Sequence, residues 1–237
     1  FTNRTGIRLY EGSFRRVDRY QGSWVRQTLV STSHTIVTRL DNEVESRESS
    51  LLAELEATGN DTFTVQLTNI FEGIPEAFSL PGSILVPVAS YNWTTATVRF
   101  RSSARRPLSV DASVTCCAFF DGTNVQGNLS LNYRPNSYFS GEFAYKPSFI
   151  DLPLGSTNIH LFTLEGAFNF TPDMSLAFQA QYDNLSQGFG SLWRYRWEYS
   201  PGNELLIAYG QSADIPHSRI RLQTSQLTLR LVRTFQY

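Results

Sequence analysis

Residues that could do chemistry are few in this chain. The three histidines, His34, His160 and His217, include no pair at a metal-ligand spacing such as His-x-x-x-His. A hydrolase would need a nucleophile, a base and an orienting group brought together. His160 beside Ser156 and Thr157, or Asp214 with His217, are the combinations on offer, and neither carries a catalytic signature. Glu54 and Glu56 share one strand face and could do acid–base work, or simply balance arginines. The two cysteines, Cys116 and Cys117, are adjacent. Neighbours on a strand point to opposite faces, so no bridge between them is expected. No catalytic residue, metal or cofactor is assigned, and enzymatic activity is left open.

The charged residues are more informative. Arg99, Arg101, Asp111, Glu142, Lys146, Glu165, Asp183, Arg194, Arg196, Glu198 and Arg230 alternate with apolar residues. If these side chains faced an enclosed lumen, opposite charges across it would set up a transverse field and give selectivity. The plainer alternative is a salt-bridged network that fills a narrow barrel. Trp193, Tyr195, Trp197 and Tyr199 occupy the face opposite the charges, and Phe235 and Tyr237 end the chain. Aromatics so placed suit a lipid interface, with a sugar-stacking platform as the alternative.

What positions these residues is a period of two. In Ser191–Tyr199, Trp193, Tyr195, Trp197 and Tyr199 oppose Arg194, Arg196 and Glu198. Similar alternation runs through Met174–Asp183, Val125–Arg134, Phe162–Phe170, Thr95–Arg101, Phe63–Thr68 and Leu227–Gln236. This pattern predicts about twelve strands, most of roughly nine to fourteen residues, against about five or six in soluble proteins and about nine to eleven across a membrane. Short turns are expected at Thr58–Asp61, Ala104–Arg106, Pro135–Ser137, Thr171–Asp173 and Ser200–Asn203, with a short exception at Asp121–Thr123. Longer connections are expected near 72–91, 147–157, 184–190 and 212–223. Alternating short and long connections fit periplasmic turns and extracellular loops.

The chain has 237 residues, 20 basic and 21 acidic, and a net charge of −1. That balance offers no nucleic-acid footprint. No apolar run reaches the roughly 18 residues of a membrane helix. One domain over 1–237 is expected, with 1–24 an unassigned lead-in. A chain beginning with Phe1 reads as processed, or as part of something longer. Soluble barrels and sandwiches alternate too, with the opposite sense, and the pattern alone does not give the sense.

The stretch FFDGTNVQGNLSLNYRPNSYFSGEFAYKPSFIDLP, followed by FNFTPDMSLAFQAQYDNLSQ and LWRYRWEYSPGNELLIAYGQS, resembles the C-terminal barrel of DUF5916-like bacterial outer-membrane proteins. The similar features are Phe-Phe-Asp-Gly at 119–122, Arg-Pro at 134–135, Leu-Pro at 152–153, Gln-Tyr at 181–182, and Arg-x-Arg-Trp followed by Pro-Gly-x-Glu-Leu over 194–205. They are turns and strand faces, so the match is collective, good over about 70–237 and loose before it. Members usually carry a carbohydrate-binding-family-9-like domain ahead of the barrel, absent from these residues. The Cys116–Cys117 pair also departs from the family pattern. The resemblance implies a Gram-negative outer-membrane location and glycan-related solutes.

The expectation is an all-β, antiparallel transmembrane β-barrel, whole or part of a larger one. It would act as a porin-like passage or anchor in the bacterial outer membrane. A plugged assembly barrel is the alternative, and a membrane-embedded hydrolase the third reading. Its partners would be outer-membrane lipid and a periplasmic or extracellular protein, with no nucleic acid.

Overall fold

The computed structural model describes residues 6–215 and 220–234. Among the described residues it contains fifteen strands and no helix. Thirteen are long: β1 (Ile7–Arg19), β2 (Val25–Arg39), β3 (Val44–Ala57), β4 (Thr62–Ile74), β7 (Ala89–Arg101), β8 (Leu108–Phe119), β9 (Gly122–Tyr133), β10 (Phe139–Leu152), β11 (Gly155–Thr171), β12 (Met174–Asp183), β13 (Gly188–Ser200), β14 (Asn203–Asp214) and β15 (Arg221–Val232). Two short ones, β5 (Phe78–Leu80) and β6 (Ile84–Val86), form a separate hairpin between β4 and β7. The hydrogen-bonded order follows the chain from β1 to β15 with only β5 and β6 left out. The ladders whose registers are resolved, β1 to β8 and β11 to β15, are antiparallel.

The chain divides into two compact units. The first comprises Phe1–Ser103, Asp111–Gly127 and Ser148–Asn158, and the second Ala104–Val110, Asn128–Pro147 and Ile159–Tyr237.

Several expectations change. β1 lies inside the segment read as a lead-in. Its pattern hid it, because Arg8, Gly12, Arg16 and Asp18 break the apolar side. The connection expected near 147–157 is mostly strand, since only Pro153 and Leu154 separate β10 from β11. Pro147 and Pro153 mimic loop punctuation there. The connection at 72–91 holds the extra hairpin. The cysteines differ as well: the structure bonds Cys116 to Cys117. The register of β8 on β7 runs from Arg101↔Asp111 to Thr95↔Cys117, so the pair sits where that ladder ends and strand alternation constrains it least.

Turn chemistry explains the hairpin ends. Gly202 (φ 75°) gives Ser200–Asn203 its left-handed corner, and Asn60 (φ 64°) does the same between β3 and β4. Asp61 Oδ1 accepts the Ser103 amide at 2.9 Å, tying two turns of the first unit together.

Candidate functional site: a polar sheet side and its cap

Register assigns each side chain to a side of the sheet. In the first unit, one row runs Val30, Ala53, Val65, Val98 and Val114, and the next runs Thr32, Leu51, Leu67, Ala96 and Cys116. The reverse side carries Leu52, Gln66, Thr97 and Thr115 in one row and Glu54, Thr64, Arg99 and Ser113 in another. The apolar side is the exposed one: Val65 is 37%, Val98 44% and Val114 53% exposed. Gln66, Thr97, Thr115 and Arg99 are half-buried, and Thr68 and Leu29 on their side are buried. This unit is therefore apolar outward and polar inward, the reverse of a soluble domain.

In the second unit the apolar rows run Gly166, Phe178, Trp193, Tyr209 and Leu227, then Phe168, Leu176, Tyr195, Ile207 and Leu229. Aromatics gather at both strand ends. Tyr145 stacks on Phe162 at 4.6 Å, and Tyr182 and Phe189 are cross-strand partners on that level. At the other end Phe139 meets Phe168 at 4.6 Å, and Trp197 meets Tyr199 at 5.9 Å.

The expected charged residues take these positions. Asp111 accepts from Arg99 Nε at 2.8 Å and from Arg101 Nε at 3.1 Å, and a second bond joins it to the Arg99 fork. Glu142 accepts from Ser130 Oγ at 2.8 Å, and Glu165 from Gln179 Nε2 at 3.0 Å. Asp183 accepts from the Ser186 amide at 2.7 Å and its hydroxyl at 2.5 Å. Arg196 donates to Glu204 at 2.5 Å and to Glu198 at 3.2 Å. Arg194, Arg230 and Lys146 meet no carboxylate within bonding reach among the described residues. Trp193 stacks on Phe178 at 5.2 Å in mid-strand, beside Tyr195. Phe235 and Tyr237 lie outside the described residues.

Of the catalytic combinations, His160 and Asp214 take these partners. His160 Nδ1 meets Tyr145 Oη at 2.8 Å, and its amide donates to Asn184 Oδ1 at 2.6 Å. Asp214 accepts from Gln223 Nε2 at 2.6 Å, and His217 lies outside the described residues. Among the described residues, no three His, Cys, Asp or Glu gather to hold a metal.

The sequence reading missed the cap. On the polar side of β7, above Thr95, stand Trp93 and Tyr91, both buried. Phe120 packs against them at 4.9 and 5.0 Å, and Phe78 meets Phe120 at 6.1 Å. Tyr91 donates to the Pro87 carbonyl at 3.0 Å. Ile84 and Val86, 2% and 1% exposed, are the most buried side chains among the described residues. Gly82 (φ 80°) turns the hairpin, and a Cβ there would lie 2.8 Å from Thr157. The β5–β6 hairpin thus folds onto the end of the polar side in this unit. The available signal was Pro81-Gly82 between Phe78-Ser79-Leu80 and Ile84-Leu85-Val86, a hairpin pattern inside a nominal loop.

In the second unit, a cleft of about 570 Å3 lies on the polar side of β12 to β15. Gly190 and Gly210 form its floor, and Gln181, Gln226, Asp183 and Asp214 stand around it.

No family model matches the chain, and no curated protein matches it. A solved structure titled as the NanC porin in a rhombohedral crystal form is similar over 97% of this chain and 99% of that one, at 11% identity and a TM-score of 0.35. A score of that size decides neither fold nor function.

Proposed function

We propose that this chain is a transmembrane β-barrel, or part of one, in a bacterial outer membrane, and that its polar side lines a passage for solutes. One observation carries the reading. In the first unit Val65, Val98 and Val114 are exposed while Gln66, Thr97 and Thr115 behind them are half-buried. Lipid is the environment that such an outward apolar side suits.

Strand length supports it. The long strands run from 10 to 17 residues, enough to cross hydrocarbon at a tilt. So do the aromatics of the second unit. From Phe189 to Tyr199 along β13 is roughly 33 Å at about 3.3 Å per residue. A tilt of about 40° reduces that to about 25 Å, the height of the apolar band between aromatic girdles. Glycan-related solutes belong to this proposal only through the resemblance to DUF5916-like barrels.

A second reading, a barrel blocked by its own chain and serving as a platform for a protein partner, is favoured by the buried hairpin on the polar side. Single-channel recording of the folded protein in a planar bilayer separates the two. Steady conductance supports the passage. Well-folded, heat-modifiable protein that inserts yet never conducts would overturn it and leave the platform.

A further inference from the structure

We propose that the polar side of the second unit holds a binding station for small organic carboxylates, with Arg194 and Arg230 as its anion-binding pair. The proposal deepens the passage reading by naming where on the wall a solute would pause and what chemistry it would carry.

The other arginines of the charged side are engaged. Arg99 and Arg101 share Asp111, and Arg196 is held by Glu204 and Glu198. Arg194 and Arg230 have no such carboxylate among the described residues, and both are exposed. Register brings them to one patch. Arg194 faces Ala177 on one flank and Ala208 on the other, and Ala208 faces Thr228. Arg230 faces Leu206, whose other neighbour is Arg196. The two free arginines are therefore two strands and two residues apart, about 12 Å between Cα atoms at about 4.8 Å per strand and 3.3 Å per residue. Between them on β14 lie Ala208 and Leu206, with Thr228 beside Ala208, and the short Ala208 and Thr228 leave room for two long side chains to converge above them.

The nearby acids are engaged by other groups: Asp183 by Ser186 and Asp214 by Gln223. Glu204, two residues from Leu206 on β14 and roughly 8 Å from Arg230 between Cα atoms, draws the Arg196 guanidinium toward itself. Two unpaired guanidinium forks flanking Ala208 and Thr228 suit a carboxylate, which each can hold through parallel N–H bonds. The next residue on the same side of β14 is Gly210, the floor of the cleft. A solute held by its carboxylate at Arg194 and Arg230 would extend its body over Gly210 between Gln181 and Gln226. These amides offer both donors and acceptors. The ligand class is thus a carboxylate with a hydroxyl-rich body, not a bare inorganic anion.

The test is equilibrium titration of the folded protein in detergent micelles with gluconate, with sorbitol as the uncharged control and chloride as the bare anion. Gluconate should bind more tightly than either. Arg194→Gln and Arg230→Gln should each weaken gluconate about tenfold or more. Arg194→Lys, which keeps the charge but loses the fork, should fall between. Arg39→Gln removes an arginine paired with Glu43 outside the patch and should leave binding within about twofold. Heat-modifiable migration reports that each variant is folded. The proposal is overturned if folded protein does not bind gluconate, if sorbitol or chloride binds equally well, or if Arg39→Gln matches the other two. Absence of conductance with gluconate binding intact would sink the passage reading alone. Conductance without gluconate binding would sink the station alone.

Discussion

The Phe178 ring lies over Gly166 across the β11–β12 ladder, filling the space where a side chain at 166 would stand. Trp193 stacks on the other flank of Phe178, so a glycine, a phenylalanine and a tryptophan on three strands form one outward-facing unit. A covered glycine of this kind fixes register, because a slip of one residue would carry the ring to the polar side. Gly166→Leu should therefore lower stability by about 1–3 kcal/mol through overpacking. Phe178→Leu, which keeps most of the apolar area, should cost about 0.5–1.5 kcal/mol in ring contacts. Urea titration of the folded protein in detergent measures both. An unchanged midpoint for Gly166→Leu would mean that the ring does not hold this register.

The outward sense of the apolar side gives a sharper test. Val98 and Thr97 are neighbours on β7 that point to opposite sides, and the row through Val98 is valine or alanine on β2, β3, β4, β7 and β8. If that side meets lipid, Val98→Arg should reduce folding stability in phosphatidylcholine vesicles by about 2–4 kcal/mol. Thr97→Arg on the polar side should cost far less, because that side is hydrated in the passage reading. Equal penalties, or a larger one for Thr97→Arg, would reverse the assignment of sides.

How much of this was legible in the sequence depends on the strand. The segment around Trp193 shows its period plainly, since bulky aromatics and arginines alternate without a gap, and its register matches that reading. Alternation cannot say which side is enclosed, because a soluble sandwich and a membrane barrel share it. That needed the exposures of Val65 and Gln66 on adjacent positions. β1 was illegible for another reason: Arg16 and Asp18, an ion pair at 2.9 Å, stand on the side where Val30 and Val65 continue the row. The cap was hidden because hairpins are sought between long strands, whereas β5 and β6 have three residues each. Which arginines are free was also beyond sequence. Arg194 and Arg196 look alike in the chain, and only the register that brings Glu204 opposite Glu198 separates them.

The Asp111 carboxylate is the shared counter-ion of two arginines on the polar side of the first unit. Asp111→Asn should change stability by less than about 1 kcal/mol, because both arginines are substantially exposed and solvent screens the pairs. Its effect on ion selectivity should be larger. Removing one negative charge frees two guanidinium groups, so the reversal potential in a potassium chloride gradient should move toward anion preference. That shift should shrink as ionic strength rises past about 0.15 M, where the screening length falls to about 8 Å. A shift toward cations would mean that Arg99 and Arg101 do not face the conducting space.

The hairpin offers the strongest mechanical prediction. Ile84 and Val86 are buried, Ile84 lies against Gly155, and Phe78 of the same hairpin meets Phe120 of the aromatic cluster, so apolar packing is what holds β5 and β6 in place. Ile84→Asp would bury a carboxylate with no partner of opposite charge, a cost that detaching the hairpin relieves. The long strands keep their ladders without it, since β4 pairs directly with β7 from Thr62↔Arg101 to Ile74↔Ala89. Ile84→Asp should therefore leave the heat-modifiable fold intact while opening the hairpin to limited proteolysis near Gly82. In planar bilayers, released protein should conduct more than the parent, or conduct where the parent is silent. Shortening the loop by replacing residues 77–87 with a short glycine-serine linker should give the same gain, which separates loss of the hairpin from an effect of the new charge. If both variants fold and insert with the parent's conductance, the cluster is a structural anchor at the sheet end and the hairpin does not obstruct the passage.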